Sequence, residues 1–318
     1  MNTTFRAEVV GGLTTFVTMA YIIAVNPGIL SQAMGAELFP ELIFATCFSA
    51  AVATLLMGLS ANYPFALAPG MGLNAFFTFS VVLGMGVRWD LALSVVLASG
   101  ILFVILSLVR AREVVIHAVP IGLKHATAAG IGMFIAFIGL KNAGVIVSND
   151  ATLVSLGNLH TGEAGLALVG LVLTAVLTSR GVKGAILIGV LGVSLVSILT
   201  GVSEGPKAIL GAPVWPEHLV GKAVENLSVA FDPALLTVVF AFLFVDLFDT
   251  TGTIVGLSQR SGFLDRQGKL PRANRALLAD SLGTVVGAMV GTSPVTTYIE
   301  SASGIAEGAR TGLASVVV

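Results

Sequence analysis

Ten apolar stretches of about twenty residues each, divided by short polar breaks, dictate the solvent of this chain before any motif is read. A helix of that length crosses the hydrocarbon core of a bilayer. The spans fall near 8–26, 41–60, 65–83, 91–109, 124–140, 163–179, 183–200, 232–253, 275–291 and 293–309. Only 10% of the residues are charged and 56% are hydrophobic, with a mean hydropathy of +0.98, so polar groups are too few to cover a soluble surface. The expected fold class is an all-α polytopic membrane protein in contact with lipid. Long β-type alternation is absent, which argues against a membrane barrel, and 37 glycines suit close helix packing in lipid. A net charge of −1 offers no field for nucleic acid, which is not an expected partner.

The one cysteine, Cys47, cannot form an intramolecular disulfide or a cysteine metal cluster and reads as a small core side chain. No small-residue cleavage site follows the N-terminal apolar run, so that run reads as an uncleaved first span. The chain ends in GLASVVV, seven residues into a fresh apolar run, and further helices are expected beyond it.

Orientation follows from lysine and arginine. With the N-terminus in the cytoplasm and alternating spans, twelve fall inside (Arg6, Arg110, Arg112, Lys124, Arg180, Lys183, Arg260, Arg266, Lys269, Arg272, Arg275, Arg310) and four outside (Arg88, Lys141, Lys207, Lys222). The block 260–275 dominates and reads as a cytoplasmic loop. Segments 141–162 and 201–231 read as longer polar connections on the other side.

Two spans break the rules for a lipid-facing helix. Residues 62–75 carry Pro64, Pro69, Gly70 and Gly72, and residues 291–304 carry Pro294, a β-favouring stretch and then small residues. Proline blocks the regular ladder and pushes the preceding residue to an extended state. Irregular backbone at membrane depth survives only where protein or a cavity satisfies its polar groups. Pro64 to Gly70 and Pro294 to Glu300 have the same spacing, and a half-helix is expected to start near Gly70. Such a pair points to an inverted-repeat transporter with its site between the breaks. Acids lie nearby: Asp246 and Asp249, three apart on one helix face, with Asp280 in the next span and Glu300 in the second break. A central Asp costs about 2.5–3.5 kcal/mol on insertion scales, so such acids usually serve function.

The stretches TTFVTMAYIIAVNP (14–27), ANYPFALAPGMGLNAFF (61–77), FVDLFDTTGT (244–253) and TSPVTTYIESASGIAEGARTGL (292–313) resemble the AzgA-type purine permeases of the nucleobase–cation symporter family, which share the UraA fold. The resemblance runs over essentially the whole chain. It implies two inverted repeats of seven helices, with short strands in the third and tenth and the last three to four helices absent. It divides the chain into a core domain (1–112), a gate domain (113–231) and the second core repeat (232–318). It implies import of adenine, guanine or hypoxanthine by proton symport, with no cofactor beyond the coupling proton, no enzymatic activity and no metal. A homodimer is compatible with it. The substrate acids fall on Asp246 and Glu300, and the third-span contacts on Gly72 and Asn74. Further candidates for substrate or proton are Asp249, Tyr298, Tyr21 and Asp280. The chemistry agrees: a carboxylate accepts two N–H bonds from a purine edge at once, and Asn both donates and accepts. The alternative is an anion transporter of the same fold class, which the acids oppose.

Other signals carry less. Asp249-Thr-Thr-Gly-Thr is like an aspartyl-phosphate loop but has no lysine in the second position. Gly70-x-Gly72-x-x-Ala75 has no βαβ unit around it. His117, His125, His160 and His218 lack metal-ligand spacing.

Overall fold

The computed structural model describes residues 3–109, 121–150, 152–203, 205, 211–265 and 270–318. Arg110, Arg112, His117, Lys207, Arg266 and Lys269, and the side chains of Lys124, His125 and Arg260, lie outside the described residues.

The first span divides into α1 (Phe5–Met19) and α2 (Ile22–Met34). Thr4 caps α1 by accepting the N–H of Ala7, and Gly35 ends α2 with φ at +115°. Helix α3 (Phe39–Leu56) has Pro40 in its first turn, where a missing N–H costs no helical bond. It runs on as a wide turn to Ala61 and stops at Asn62, in the left-handed region that Asn tolerates. Strand β1 (Leu67–Pro69) and α4 (Met71–Ala75) follow, α4 continuing as a wide turn to Val82, and then α5 (Trp89–Leu108). Helix α6 (Ile121–Asn142) leads to a hairpin, β2 (Ile146–Asn149) and β3 (Leu153–Leu156), where the sequence suggested only a polar connection. Next come α7 (Gly162–Ser179), α8 (Ala185–Leu199), the short α9 (Lys222–Glu225), α10 (Pro233–Ser261), α11 (Ala273–Val290), β4 (Val295–Thr297), α12 (Ser301–Ala306) and α13 (Gly312–Val317).

Among the described residues, five helical stretches are long and apolar enough to cross a membrane: Phe5–Met34, Ala36–Ala61, Trp89–Leu108, Gly162–Ser179 and Pro233–Gln259. The first is longer than the expected 8–26, because the apolar pattern continues past Pro27. The expected third and tenth spans are each a strand followed by a half-helix. At 29 residues, α10 is about 44 Å long by helical rise and exceeds the roughly 30 Å hydrocarbon core.

The core forms where α11 packs across α3 and α5, and α10 against α5. Phe77, Leu93 and Phe242 fill one cluster, and Phe65, Phe103, Leu247 and Val295 another, all fully buried. Helices α7 and α8 pack mainly on each other and expose Val169, Leu171, Leu191 and Leu195, as lipid contact requires. Cys47, expected in the core, is exposed.

Two acids have structural partners that spacing did not reveal. Glu8, 1% exposed, accepts the backbone N–H groups of Arg310 (2.9 Å) and Thr311 (3.1 Å), satisfying donors ahead of α13. Glu41, in the first turn of α3, accepts the N–H of His218 at 3.1 Å and faces its Nδ1 at 2.6 Å. The hydrogen bond and charge of Glu41 raise the His218 pKa above the ordinary histidine value. A raised pKa means that the contact stabilises fully below about pH 6.5 and is lost as pH rises through the higher folded-state value. Trp215 sits three residues away, its ring 5.4 Å from that of Phe44 on α3. With Trp89 replaced by Phe, Trp215 fluorescence is expected to titrate with a midpoint above that of free histidine. Glu41→Gln should bring the midpoint down, and an unchanged midpoint would refute the link.

Candidate functional site

The two broken spans meet as a two-stranded antiparallel sheet. β1 pairs with β4 in the register Leu67↔Thr297, Ala68↔Thr296 and Pro69↔Val295. Each end continues past the strands: Gly70 N–H donates to the Pro294 carbonyl at 2.8 Å, and Tyr298 N–H to that of Ala66 at 2.9 Å. Backbone freed by the prolines therefore finds its partner in the other break, as buried peptide groups must. Gly70 is required at this crossing, since a Cβ there would lie 2.7 Å from the Thr296 methyl.

Each strand leads into a half-helix. Helix α4 starts directly after Gly70, where the sequence suggested, and Glu300 occupies the position immediately before α12. Between these starts and α10 is a cavity of about 260 Å³, just below the roughly 300–1,000 Å³ of sites for drug-sized ligands. Gly70 to Leu73 form one wall, Thr296 to Glu300 another, Asp249 and Thr253 of α10 a third, and Tyr21 closes a side.

The cavity thus brings together five of the eight residues singled out from sequence: Gly72, Asp249, Tyr298, Glu300 and Tyr21. Tyr21 O–H donates to Glu300 Oε1 at 2.7 Å, fixing that carboxylate from the break between α1 and α2. Tyr298 O–H donates to the Pro69 carbonyl at 2.5 Å, so its hydroxyl serves the scaffold while the residue lines the cavity. Asp249 opens into the cavity, with Thr296 Oγ1 3.4 Å from its Oδ2.

The other three stand behind the wall. Asp246, 2% exposed, lies about one turn from Asp249 on α10; Thr284 Oγ1 donates to its Oδ2 at 3.0 Å, and its Oδ1 has no partner. Asp280 of α11 is fully buried and receives Thr250 Oγ1 at 2.7 Å and Thr297 Oγ1 at 2.9 Å, one on each carboxylate oxygen. Asn74 points into a buried amide–hydroxyl cluster: its Nδ2 donates to Asn26 Oδ1 at 3.0 Å, and Asn26 Nδ2 donates to Thr46 and Thr292. Sequence reading missed Asn26 and the threonines at 250, 284, 296 and 297. Hydroxyls inside apolar runs are common, and only the fold reveals which of them meet carboxylates.

A family model described as "Permease family" matches residues 6–318. A Methanocaldococcus jannaschii protein named as a permease is 54% identical over 319 residues, covering all of this chain and 72% of the relative. The guanine/hypoxanthine permease PbuG of Bacillus subtilis is 46% identical over 325 residues, covering all of this chain and 73% of its own. The adenine permease AdeP of Escherichia coli is 43% identical over 317 residues, with 100% and 70% covered. Among solved structures, the transmembrane domain of the cyanobacterial bicarbonate transporter BicA superposes with a TM-score of 0.67 over 99% of this chain and 81% of its own; at 16% identity the likeness concerns fold alone.

Proposed function

The chain belongs to the permease family whose model it matches and is a multi-pass membrane protein, and on that premise we propose that it imports purine nucleobases (adenine, guanine or hypoxanthine) by proton symport and alternating access. The observation that carries this reading is the cavity at the strand crossing, with carboxylates of Glu300 and Asp249 on two of its walls. Both can accept N–H bonds from the edge of a planar base, and Tyr21 and Tyr298 supply aromatic groups beside the cavity. Gly72 keeps the α4 wall free of a side chain, so backbone can approach the ligand. Asp246 and Asn74, the acid and amide behind the wall, support the site in this arrangement and stay candidates for substrate contact in another state of the cycle. An anion would meet two carboxylates here, which is unfavourable.

The inverted-repeat reading is supported by the antiparallel pairing of the two breaks and by the half-helix that follows each strand. The division into core (1–112 and 232–318) and gate (113–231) is supported by packing: α1 to α5 engage α10 to α13, whereas α7 and α8 engage chiefly each other. We further propose an inner-membrane location with the N-terminus cytoplasmic, and a homodimer as the assembled form.

The test is a panel of radiolabelled adenine, guanine, hypoxanthine, uracil, sulfate and bicarbonate with the purified protein in liposomes at several pH values. Purine uptake that grows with an inward proton gradient is expected, with weak competition from uracil and none from the anions. Competition by bicarbonate at the same site would overturn the reading.

A further inference from the structure

Three acids from α10 and α11 surround the start of β4, and only one opens into the cavity. Asp249 is exposed there, whereas Asp246 is 2% exposed and Asp280 is fully buried. A continuous path of hydroxyls joins the first to the last. Thr296 Oγ1 lies 3.4 Å from Asp249 Oδ2 and 2.9 Å from Thr250 Oγ1, and Thr250 Oγ1 donates to Asp280 Oδ2 at 2.7 Å. Thr297 secures the far oxygen of Asp280 at 2.9 Å. Thr250 and Asp280 are fully buried, so water does not compete for the bond between them.

No described lysine, arginine or histidine forms an ion pair with any of the three acids. The charged groups that face Asp280 are Asp246 and Asp249, both on α10; of the charges on other elements packed against α11, Glu41 of α3 bonds His218, Asp90 of α5 pairs with Arg88, and Lys222 of α9 pairs with Glu225. Asp246 adds an independent sign, since its Oδ1 is buried without a donor. Neighbouring carboxylates buried without a cation cannot all be charged, so the cluster has room for a proton that needs no exposed carrier.

Building on the symport reading above, we propose that Asp280 stores the coupling proton, which reaches it from Asp249 through the hydroxyls of Thr296 and Thr250. The transfer balances without a co-reactant. A proton on Asp249 Oδ2 passes to Thr296 Oγ1 as the Thr296 proton passes to Thr250 Oγ1 and the Thr250 proton to Asp280 Oδ2. Each hydroxyl breaks one O–H bond and forms one, and the net result is Asp249 ionised and Asp280 neutral. Arrival and departure of the proton switch the charge on Asp249, the acid that faces the substrate, while Asp280 itself never touches the cavity. That placement separates proton storage from substrate contact and links them through β4.

The experiment compares wild type with Asp280→Asn, Thr250→Val and Thr250→Ser in proteoliposomes, using hypoxanthine throughout. Hypoxanthine exchange at equal pH on both sides reads substrate handling, and hypoxanthine-driven alkalinisation of the outer medium reads coupled protons. Asp280→Asn and Thr250→Val are expected to keep exchange but lose coupled proton flux by at least about tenfold, with Thr250→Ser restoring it. Wild-type coupling in Asp280→Asn, or in Thr250→Val, overturns the relay. If Asp280→Asn does not fold, the Thr250 pair decides: loss with Val and recovery with Ser sustains the proposal, and equal coupling in both defeats it. Wild type that exchanges hypoxanthine without moving protons also defeats it. Absence of hypoxanthine exchange in the wild type instead sinks the purine reading on which it rests.

Discussion

Glu300→Gln is expected to lower hypoxanthine uptake by about 100-fold or more, equivalent to roughly 3 kcal/mol of lost interaction. The carboxylate stands at the start of α12 with Tyr21 bound to Oε1, which leaves its other oxygen for an N–H of the ligand. Glutamine keeps the shape but replaces one acceptor oxygen by an NH₂ group. Either that group meets the Tyr21 hydroxyl or it opposes the ligand's own N–H, and both leave a donor without an acceptor. Tyr21→Phe keeps the carboxylate and removes only its orientation, so a smaller loss of about tenfold is expected. Initial-rate uptake in proteoliposomes, corrected for the amount of folded protein, measures both. Wild-type rates in Glu300→Gln would remove this residue from the substrate site.

Gly11→Val is expected to destabilise the fold strongly. Helix α1 lies along the α12 segment through a seam of small residues. A Cβ on Gly11 would stand 2.6 Å from Ala309 Cβ and 2.7 Å from the Gly304 carbonyl. One on Gly304 would overlap the Gly11 carbonyl and the Thr15 hydroxyl. Further along, Thr18 Oγ1 and Ser303 Oγ share a hydrogen bond at 2.9 Å, and the seam ends at Tyr21 and Glu300. Helices in lipid associate by close packing and hydrogen bonds of this kind, because the surrounding tails offer no hydrophobic drive. The valine would have to separate the two backbones, at an expected cost of about 3 kcal/mol or more. Thermal melting in detergent should show a sharply lowered transition, while Gly11→Ala falls between. A wild-type transition for the valine variant would mean that the seam does not hold these elements together.

The sequence announced the breaks themselves, because Pro64 and Pro69 stand five apart with Gly70 and Gly72 behind them, and Pro294 is followed by a β-favouring stretch, whereas the lone Pro27 stays inside α2. That each break holds a short strand was legible only through the resemblance, and that the two strands pair with each other was not legible at all. Three-residue strands are too short for any periodicity, and their partners lie more than two hundred positions apart. The acids were legible as expensive residues, but their division of labour was not. Asp246 and Asp249 differ by about 60° around α10, given 100° per residue, and this angle decides which one faces the cavity. Asn74 read as a ligand contact because an amide fits a base edge. Its donor meets Asn26, a residue that looked like the end of a span. Glu8 passed unnoticed because an acid in a first helical turn has an ordinary explanation in the helix dipole. Its actual partners, the backbone groups at 310 and 311, are at the other end of the chain.

The strand crossing has an entropic consequence. Six residues of β1 and β4 have their backbone set by mutual pairing rather than by anything bound beside them. Ordering that many residues costs roughly 6–12 kcal/mol. Here the ordering is completed when the protein folds, so a ligand arriving at the cavity meets walls already in place. A molecule as small as a bicyclic base offers few contacts with which to organise a flexible loop. It binds where the loop has no freedom left to lose.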